Sequence, residues 1–162
     1  MLPLTIDEKE FLFVKQLVLD KIKEVDPTGK IEFKIGTMIE TPRACILAST
    51  LAAHCDFFSF GTNDLTQFVY GFSRDDAGKF LPDYYKNNIF EKDVFMHLDT
   101  KVVGQMMETA IRAAKRINPK LVVGVCGEHG GDPASIEFCK KIGLDYVSCS
   151  VMRLPIAKLS SC

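Results

Sequence analysis

Two rhythms of apolar and polar residues alternate along these 162 residues. Phe11, Val14, Val18, Ile22 and Val25 recur at helical spacing, joined by Leu17, which predicts a helix with one core-facing stripe. Thr5 and Glu8 form a T-x-x-E capping box ahead of it, each side chain answering the other residue's free amide. Asp26-Pro27-Thr28-Gly29 is the turn that stops it. The apolar Met1–Leu4 is long enough only for a strand or its end. Ile31, Phe33 and Ile35 alternate with polar neighbours and predict a second strand running toward Met38-Ile39. Thr41-Pro42 opens a second helix, with Thr as N-cap and Pro in the first turn. Phe57–Phe60 is a third strand, Leu121–Val125 a fourth and Tyr146-Val147 a fifth. Lys101–Ile117 carries Val102, Val103, Met106, Ala110 and Ala113 along one side of a helix, with Met106 and Met107 as core. Asp132-Pro133 caps another helix reaching Ile142, and a last short helix follows Pro155. Tyr70–Asp99, mixed in charge and rich in aromatics, interrupts the pattern as an insertion or large loop.

Strands therefore alternate with helices, five strands in all. Such alternation makes a parallel sheet covered by helices. A doubly wound sheet and a piece of a (β/α)8 barrel fit it equally, and periodicity does not separate them.

Composition narrows the picture only slightly. A chain that is 47% hydrophobic and 25% charged, with a formal net charge of -1, fits one globular unit and offers no nucleic-acid or anionic-membrane surface. No apolar run reaches the roughly 18 residues of a membrane span. The opening MLPLTIDEKE has no basic start with a long apolar core, so no secretory signal is predicted. The six cysteines, at 45, 55, 126, 139, 149 and 162, include no C-x-x-C pair. They read as reduced thiols in an intracellular compartment, with cytoplasm the default.

Chemistry collects where strands end. Gly36-Thr-Met-Ile-Glu40 closes the second strand, Gly61-Thr-Asn-Asp64 the third, and Cys126-Gly-Glu-His-Gly-Gly-Asp132 the fourth. The C-terminal edge of a parallel sheet is where such folds bind ligands. Glu40 and Asp64 offer two carboxylates there, suited to a Mg²⁺ that keeps substrate and water oxygens as its other ligands. Equally, Glu40 is a helix-capping acid beside Thr41 and Asp64 an N-cap. Gly61, Thr62 and Asn63 present donors to an anion, as glycine-rich turns do. Cys126 is either a thiol facing a substrate or a small buried hydrophobe. Cys139, in mid-helix, reads as structural. His129 reads as a hydrogen-bonder within its own turn, and His54 and His97 have no evident partners.

Three quoted stretches, Gly36–Arg43, Phe58–Gln67 and Cys126–Pro133, together resemble the phosphoenolpyruvate-utilising enzymes. That group holds pyruvate phosphate dikinase, phosphoenolpyruvate synthase and enzyme I of the sugar phosphotransferase system. Gly71–Phe80 and the ending Tyr146–Ser150 resemble the dikinase branch. The resemblance covers nearly the whole chain. It implies a (β/α)8 barrel, of which residues 1–162 supply about the last five βα units. It further implies that Glu40 and Asp64 hold Mg²⁺, and that Glu40, Gly61, Thr62, Asn63 and Asp64 contact phosphoenolpyruvate or pyruvate. Cys126 then protonates the enolate. A barrel of this kind runs to about 250 residues. The resemblance thus places earlier βα units with phosphoryl-clamping arginines before Met1, along with a phosphohistidine partner domain and a nucleotide-binding domain. The expectation is a chain not competent alone for the full reaction, and a homo-oligomer, since open strand edges invite pairing. The alternative is a truncated paralogue kept as a non-catalytic binding or assembly module.

Overall fold

The computed structural model describes residues 1–161; Cys162, one of the six predicted thiols, lies outside them. Four parallel strands are hydrogen-bonded in chain order: β1 Thr37–Ile39, β2 Phe57–Gly61, β3 Val122–Cys126 and β4 Tyr146–Val147. The helices between and around them are α1 Glu8–Val25, α2 Pro42–Ile46, α3 Ala48–Ala52, α4 Thr62–Tyr70, α5 Arg74–Ala77, α6 Leu81–Lys86, α7 Val103–Ile117, α8 Pro133–Lys141 and α9 Leu154–Ser161. Consecutive strands that pair in parallel, each followed by helix, are successive units of a partial (β/α) barrel rather than a doubly wound sheet, whose strand order reverses at a switch point.

The period of two along β2 and β3 sorts the side chains. Ile39, Phe58, Phe60, Val123 and Val125 are fully buried and join Ala44, Ala48, Leu51, Met107, Ala110 and Ala114 of the helix layer in one core. The other face carries Phe57 and Val122 at the strand starts and then only small residues, Ser59, Gly61, Gly124 and Cys126, toward the C-terminal ends. The Tyr146 ring fills the space a side chain at Gly124 would take.

Several expectations are corrected. Met1–Leu4 forms no strand; Leu2 alone makes an isolated parallel bridge to Thr37, so the sheet has four strands, not five. The strand expected from Ile31 starts only at Thr37, because pairing begins at Thr37↔Phe58. Ile31 and Phe33 project past the neighbouring strand's start and stay exposed, and Asp26 takes the Ile31 amide instead. Asp7, not Thr5, caps α1, accepting from the Lys9 amide. Thr5 is buried against Thr37, whose hydroxyl meets its own at 2.6 Å. Val102, placed on the same helix side as Val103 and Ala110, is exposed ahead of α7; of the two methionines read as core, Met107 is fully buried and Met106 half-buried.

The Tyr70–Asp99 insertion is ordered around its own core. Ala77, Leu81, Val94 and Phe95 pack with Tyr70, Phe72, Phe80, Tyr85 and Phe90, mostly through edge-on or tilted ring contacts. Among the described residues, no helix is long and apolar enough to cross a membrane.

Candidate functional site

Register sets the site. Ile39 is level with Phe60, and Gly61 with Cys126, so Glu40, one residue past Ile39, stands level with Gly61 and Cys126 at the C-terminal ends of three adjacent strands. Thr41 starts α2 by accepting from the Ala44 amide at 3.1 Å, with Pro42 at the helix's first turn. That tight exit leaves Glu40 pointing back under the sheet's edge, 2% exposed. Its Oε1 accepts from the Leu4 amide at 2.6 Å, and Leu4 adopts a left-handed φ of 48° there. A Cβ on Gly61 would meet Glu40 Oε2 and would come within 2.8 Å of Glu40 Cβ; only glycine lets β2 pass so close.

Asp64 lies in the first turn of α4, within hydrogen-bond reach of Glu40. Burial first, and then the Asp64 charge and hydrogen bond, push the Glu40 carboxyl above the ordinary carboxylate range, against the Leu4 amide. Among the described residues no ion pair reaches either carboxylate. Gln67 Nε2 donates to Asp64 Oδ1 at 3.1 Å. A cleft of about 420 Å³, lined by Asp64, Gln67, Phe68, Gly71, Phe72 and Ser73, opens beside it.

Cys126 is half-buried and its thiol lies 3.5 Å from the Phe60 carbonyl. Burial raises its pKa; the Glu40 and Asp64 charges add to that, and a hydrogen bond with Ser59 opposes it. The thiol therefore keeps its proton near neutrality and lies within the field of both carboxylates.

The residues match the family described as PEP-utilising enzyme, PEP-binding domain, over positions 1–161. The chain belongs to the PEP-utilising enzyme family. It is 52% identical over 163 residues to the pyruvate, phosphate dikinase of Clostridium symbiosum, covering 99% of this chain and 19% of that protein. The pyruvate, phosphate dikinase of Rhizobium meliloti is 50% identical over 99% of this chain and 18% of its own length. The pyruvate, phosphate dikinase 2 of Oryza sativa is 53% identical over 81% of this chain and 15% of its own. The chain thus spans about a fifth of the length of the curated relatives it matches.

In this member of the PEP-utilising enzyme family every predicted site residue reaches one edge. Thr62 is fully buried, its hydroxyl 2.7 Å from His129 Nδ1, and His129 Nε2 lies 3.0 Å from the Val94 carbonyl. Nε2 must carry the hydrogen, since a carbonyl only accepts; Nδ1 then accepts from Thr62. His129 is the hydrogen-bonder expected, but it joins three segments rather than its own turn alone. Asn63 donates to Glu128, whose other oxygen pairs with Arg74 at 3.1 Å. His54 and His97 do have partners, Glu8 at 2.8 Å and Asp132 at 3.1 Å.

Arg74, Gln67 and Glu128 were missed as contributors. Their spacing carries no local signal: Arg74 and Glu128 are 54 residues apart and meet only through the fold. The donor set suits a hard dication: two uncompensated carboxylates in contact, beside a buried Asn63 Oδ1 with no partner. Among the described residues no cluster of three or more His, Cys, Asp or Glu gathers as a self-sufficient metal site, so any ion held here needs ligand or water oxygens.

Proposed function

We propose that residues 1–162 are the C-terminal portion of the phosphoenolpyruvate- and pyruvate-binding barrel of a pyruvate, phosphate dikinase. Such an enzyme interconverts ATP, phosphate and pyruvate with AMP, diphosphate and phosphoenolpyruvate, through a phosphohistidine on a partner domain. The observation that carries the reading is the shared level of Glu40, Gly61 and Cys126 at the sheet's C-terminal edge, with the Asp64 charge acting on the Glu40 carboxyl.

In this reading Glu40 and Asp64 hold Mg²⁺. The bound ion supplies positive charge against the oxygen of enolpyruvate. Gly61 keeps the backbone close enough for both carboxylates to serve one ligand. Thr62, locked by His129, and Asn63 orient the anionic end of that ligand in the turn opening α4. Removal of the phosphoryl group leaves an enolate, whose methylene carbon needs a proton from a weak acid over one face. Cys126 holds that proton at Sγ, and its raised pKa keeps it there until carbon takes it. In the reverse direction the thiolate accepts a methyl proton of pyruvate. The same reading makes the protein cytoplasmic and a homo-oligomer.

The test is a hybrid in which this chain replaces its 52%-identical counterpart in the Clostridium symbiosum dikinase. Exchange of pyruvate methyl protons with deuterated water is followed by NMR. The hybrid should exchange and its Cys126→Ala form should not. Exchange at an unchanged rate in Cys126→Ala removes the thiol from the chemistry. A folded hybrid that neither exchanges nor binds phosphoenolpyruvate removes the substrate assignment.

A further inference from the structure

Asn63 and Arg74 are two side-chain donors beside the candidate site, and both are engaged by one internal carboxylate. Glu128 accepts from Asn63 Nδ2 with Oε2 and pairs with Arg74 Nη2 at 3.1 Å with Oε1. The turn that delivers Glu128 is shaped for this grip. Gly127 takes a φ of 99°, and a Cβ there would come within 3.1 Å of Asn63 Nδ2. From the other side, the Arg74 amide donates to Gln67 Oε1 at 2.7 Å while Gln67 holds Asp64. The Arg74 guanidinium also lies 5.5 Å over the Phe95 ring. Donors fixed from both sides thus converge on a carboxylate that is itself partly open to solvent, with a side-chain exposure of 36%.

We infer that Glu128 is an internal anion that occupies the Asn63–Arg74 donor pair until an anionic ligand displaces it, and so sets the affinity of the site. The inference rests on the anion-binding part of the function proposed above. A phosphate ester or carboxylate presents the same oxygens to an amide N–H and a guanidinium as Glu128 does. An incoming anion must therefore break two contacts of Glu128 and then lie near its freed charge. Competition of this kind lowers affinity without altering what the ligand touches. It also penalises weakly charged ligands most, since they replace the least of what is lost.

The experiment compares the 162-residue chain with Glu128→Gln, which keeps shape and an acceptor for Asn63 but removes the charge. Calorimetry with phosphoenolpyruvate and, separately, inorganic phosphate is run in the presence of Mg²⁺. The exposed pair is modest in strength, so binding of both should tighten by about three- to tenfold. Alongside, the Asn63 side-chain amide signals of the wild-type chain should shift on phosphate addition, toward positions that Glu128→Gln shows before any is added. Glu128→Asp is the second variant: it keeps the charge but is too short to span both donors, and its affinity should fall between the other two. Unchanged affinity in Glu128→Gln overturns the inference. Weakened affinity overturns it too and makes Glu128 a support that holds Arg74 and Asn63 in place. Tighter phosphate binding with no preference for phosphoenolpyruvate would uphold Glu128's role while removing the substrate assignment. No phosphoenolpyruvate binding by either chain, nor by the hybrid dikinase carrying it, removes both.

Discussion

His129→Leu isolates the contribution of one buried side chain to the whole edge. The imidazole is fully buried and bonded to Thr62 Oγ1 at 2.7 Å and to the Val94 carbonyl at 3.0 Å. Leucine keeps the volume, so little cavity forms, but the Thr62 hydroxyl and the Val94 carbonyl lose their partner. An unsatisfied buried group costs about 1–3 kcal/mol. Two of them sum to roughly 2–6 kcal/mol, and the apolar leucine offsets part, which places the loss at about 2–4 kcal/mol. Against a typical total of about 5–15 kcal/mol, that is a large fraction. Urea denaturation measures it as a lowered midpoint at constant slope. The mechanism, and not merely the size, is tested by Thr62→Val, which removes one of the two orphans. Added to His129→Leu, it should cost less than it does alone, a coupling of about 1–3 kcal/mol. A loss under about 0.5 kcal/mol for His129→Leu, or strict additivity in the double variant, would refute the clamp.

Acid should act through the same residue. Burial lowers the His129 pKa, outweighing the Val94 bond and the nearby Asp132 and Glu128 charges. The unfolded chain takes a proton near pH 6.5 that the folded chain resists. The His129 contribution is thus full above that pH and is lost as pH falls through it toward the depressed folded value. Urea midpoints at pH 8 and 5.5 should differ more in wild type than in His129→Leu; equal differences would argue against it. Among thiols, Cys45, Cys55 and Cys139 are buried with pKa pushed up to about 12. In a Cys162→Ser background at pH 8, a thiol reagent should therefore label Cys149 and, more slowly, Cys126, and mass spectrometry finding native Cys139 labelled would contradict this packing. Gly61→Ala forces Glu40 off its 2.6 Å bond from Leu4. It should cost about 1–3 kcal/mol and abolish any Mg²⁺-induced rise in the thermal midpoint; an intact rise would show that Glu40 tolerates the methyl group.

What could be read in advance divides along physical lines. The α7 and α8 helices and strands β2 to β4 lie within a residue or two of their expected bounds, because helical stripes, the Asp132 and Thr41 caps and apolar runs are local signals. The three strand-end motifs were legible for the same reason. The end of β1 at Met38-Ile39 was legible too, but its start was not. Ile31 and Phe33 alternate as a strand would, yet pairing depends on where β2 begins, which no local pattern encodes. The cap of α1 moved from Thr5 to Asp7 because Thr5 found a buried partner 32 residues away in Thr37. Arg74, Gln67 and Glu128 stayed invisible since a donor pair held from two sides is a property of the folded edge alone. The insertion was seen as an interruption, but its aromatic core required ring geometry rather than composition.

The departures from local convenience also point to the site independently of any motif. A non-glycine residue at positive φ costs on the order of 1–2 kcal/mol, and Leu4 adopts one while donating to Glu40. A buried carboxylate is costly to desolvate, and Glu40 faces another carboxylate instead of a cation. Asn63 Oδ1 and Thr66 Oγ1, both within two residues of Asp64, are buried without partners. Large inward side chains would stabilise the barrel face, yet beyond Phe57 and Val122 at their starts β2 and β3 place only Ser59, Gly61, Gly124 and Cys126 there. Had these features been scattered, each would read as a tolerated defect. Asn88, also at positive φ, and the buried Tyr85 hydroxyl lie apart in the insertion, but the rest gather around Glu40, Asp64 and Cys126, while the helix-facing side of the same strands is apolar and fully buried. Strain and uncompensated charge persist where the surrounding structure holds them against relaxation. Here the capped α2, the close approach at Gly61 and the His129 clamp hold them, so the edge keeps strain and uncompensated charge at the expense of the free chain's stability, as the proposed ligand site requires.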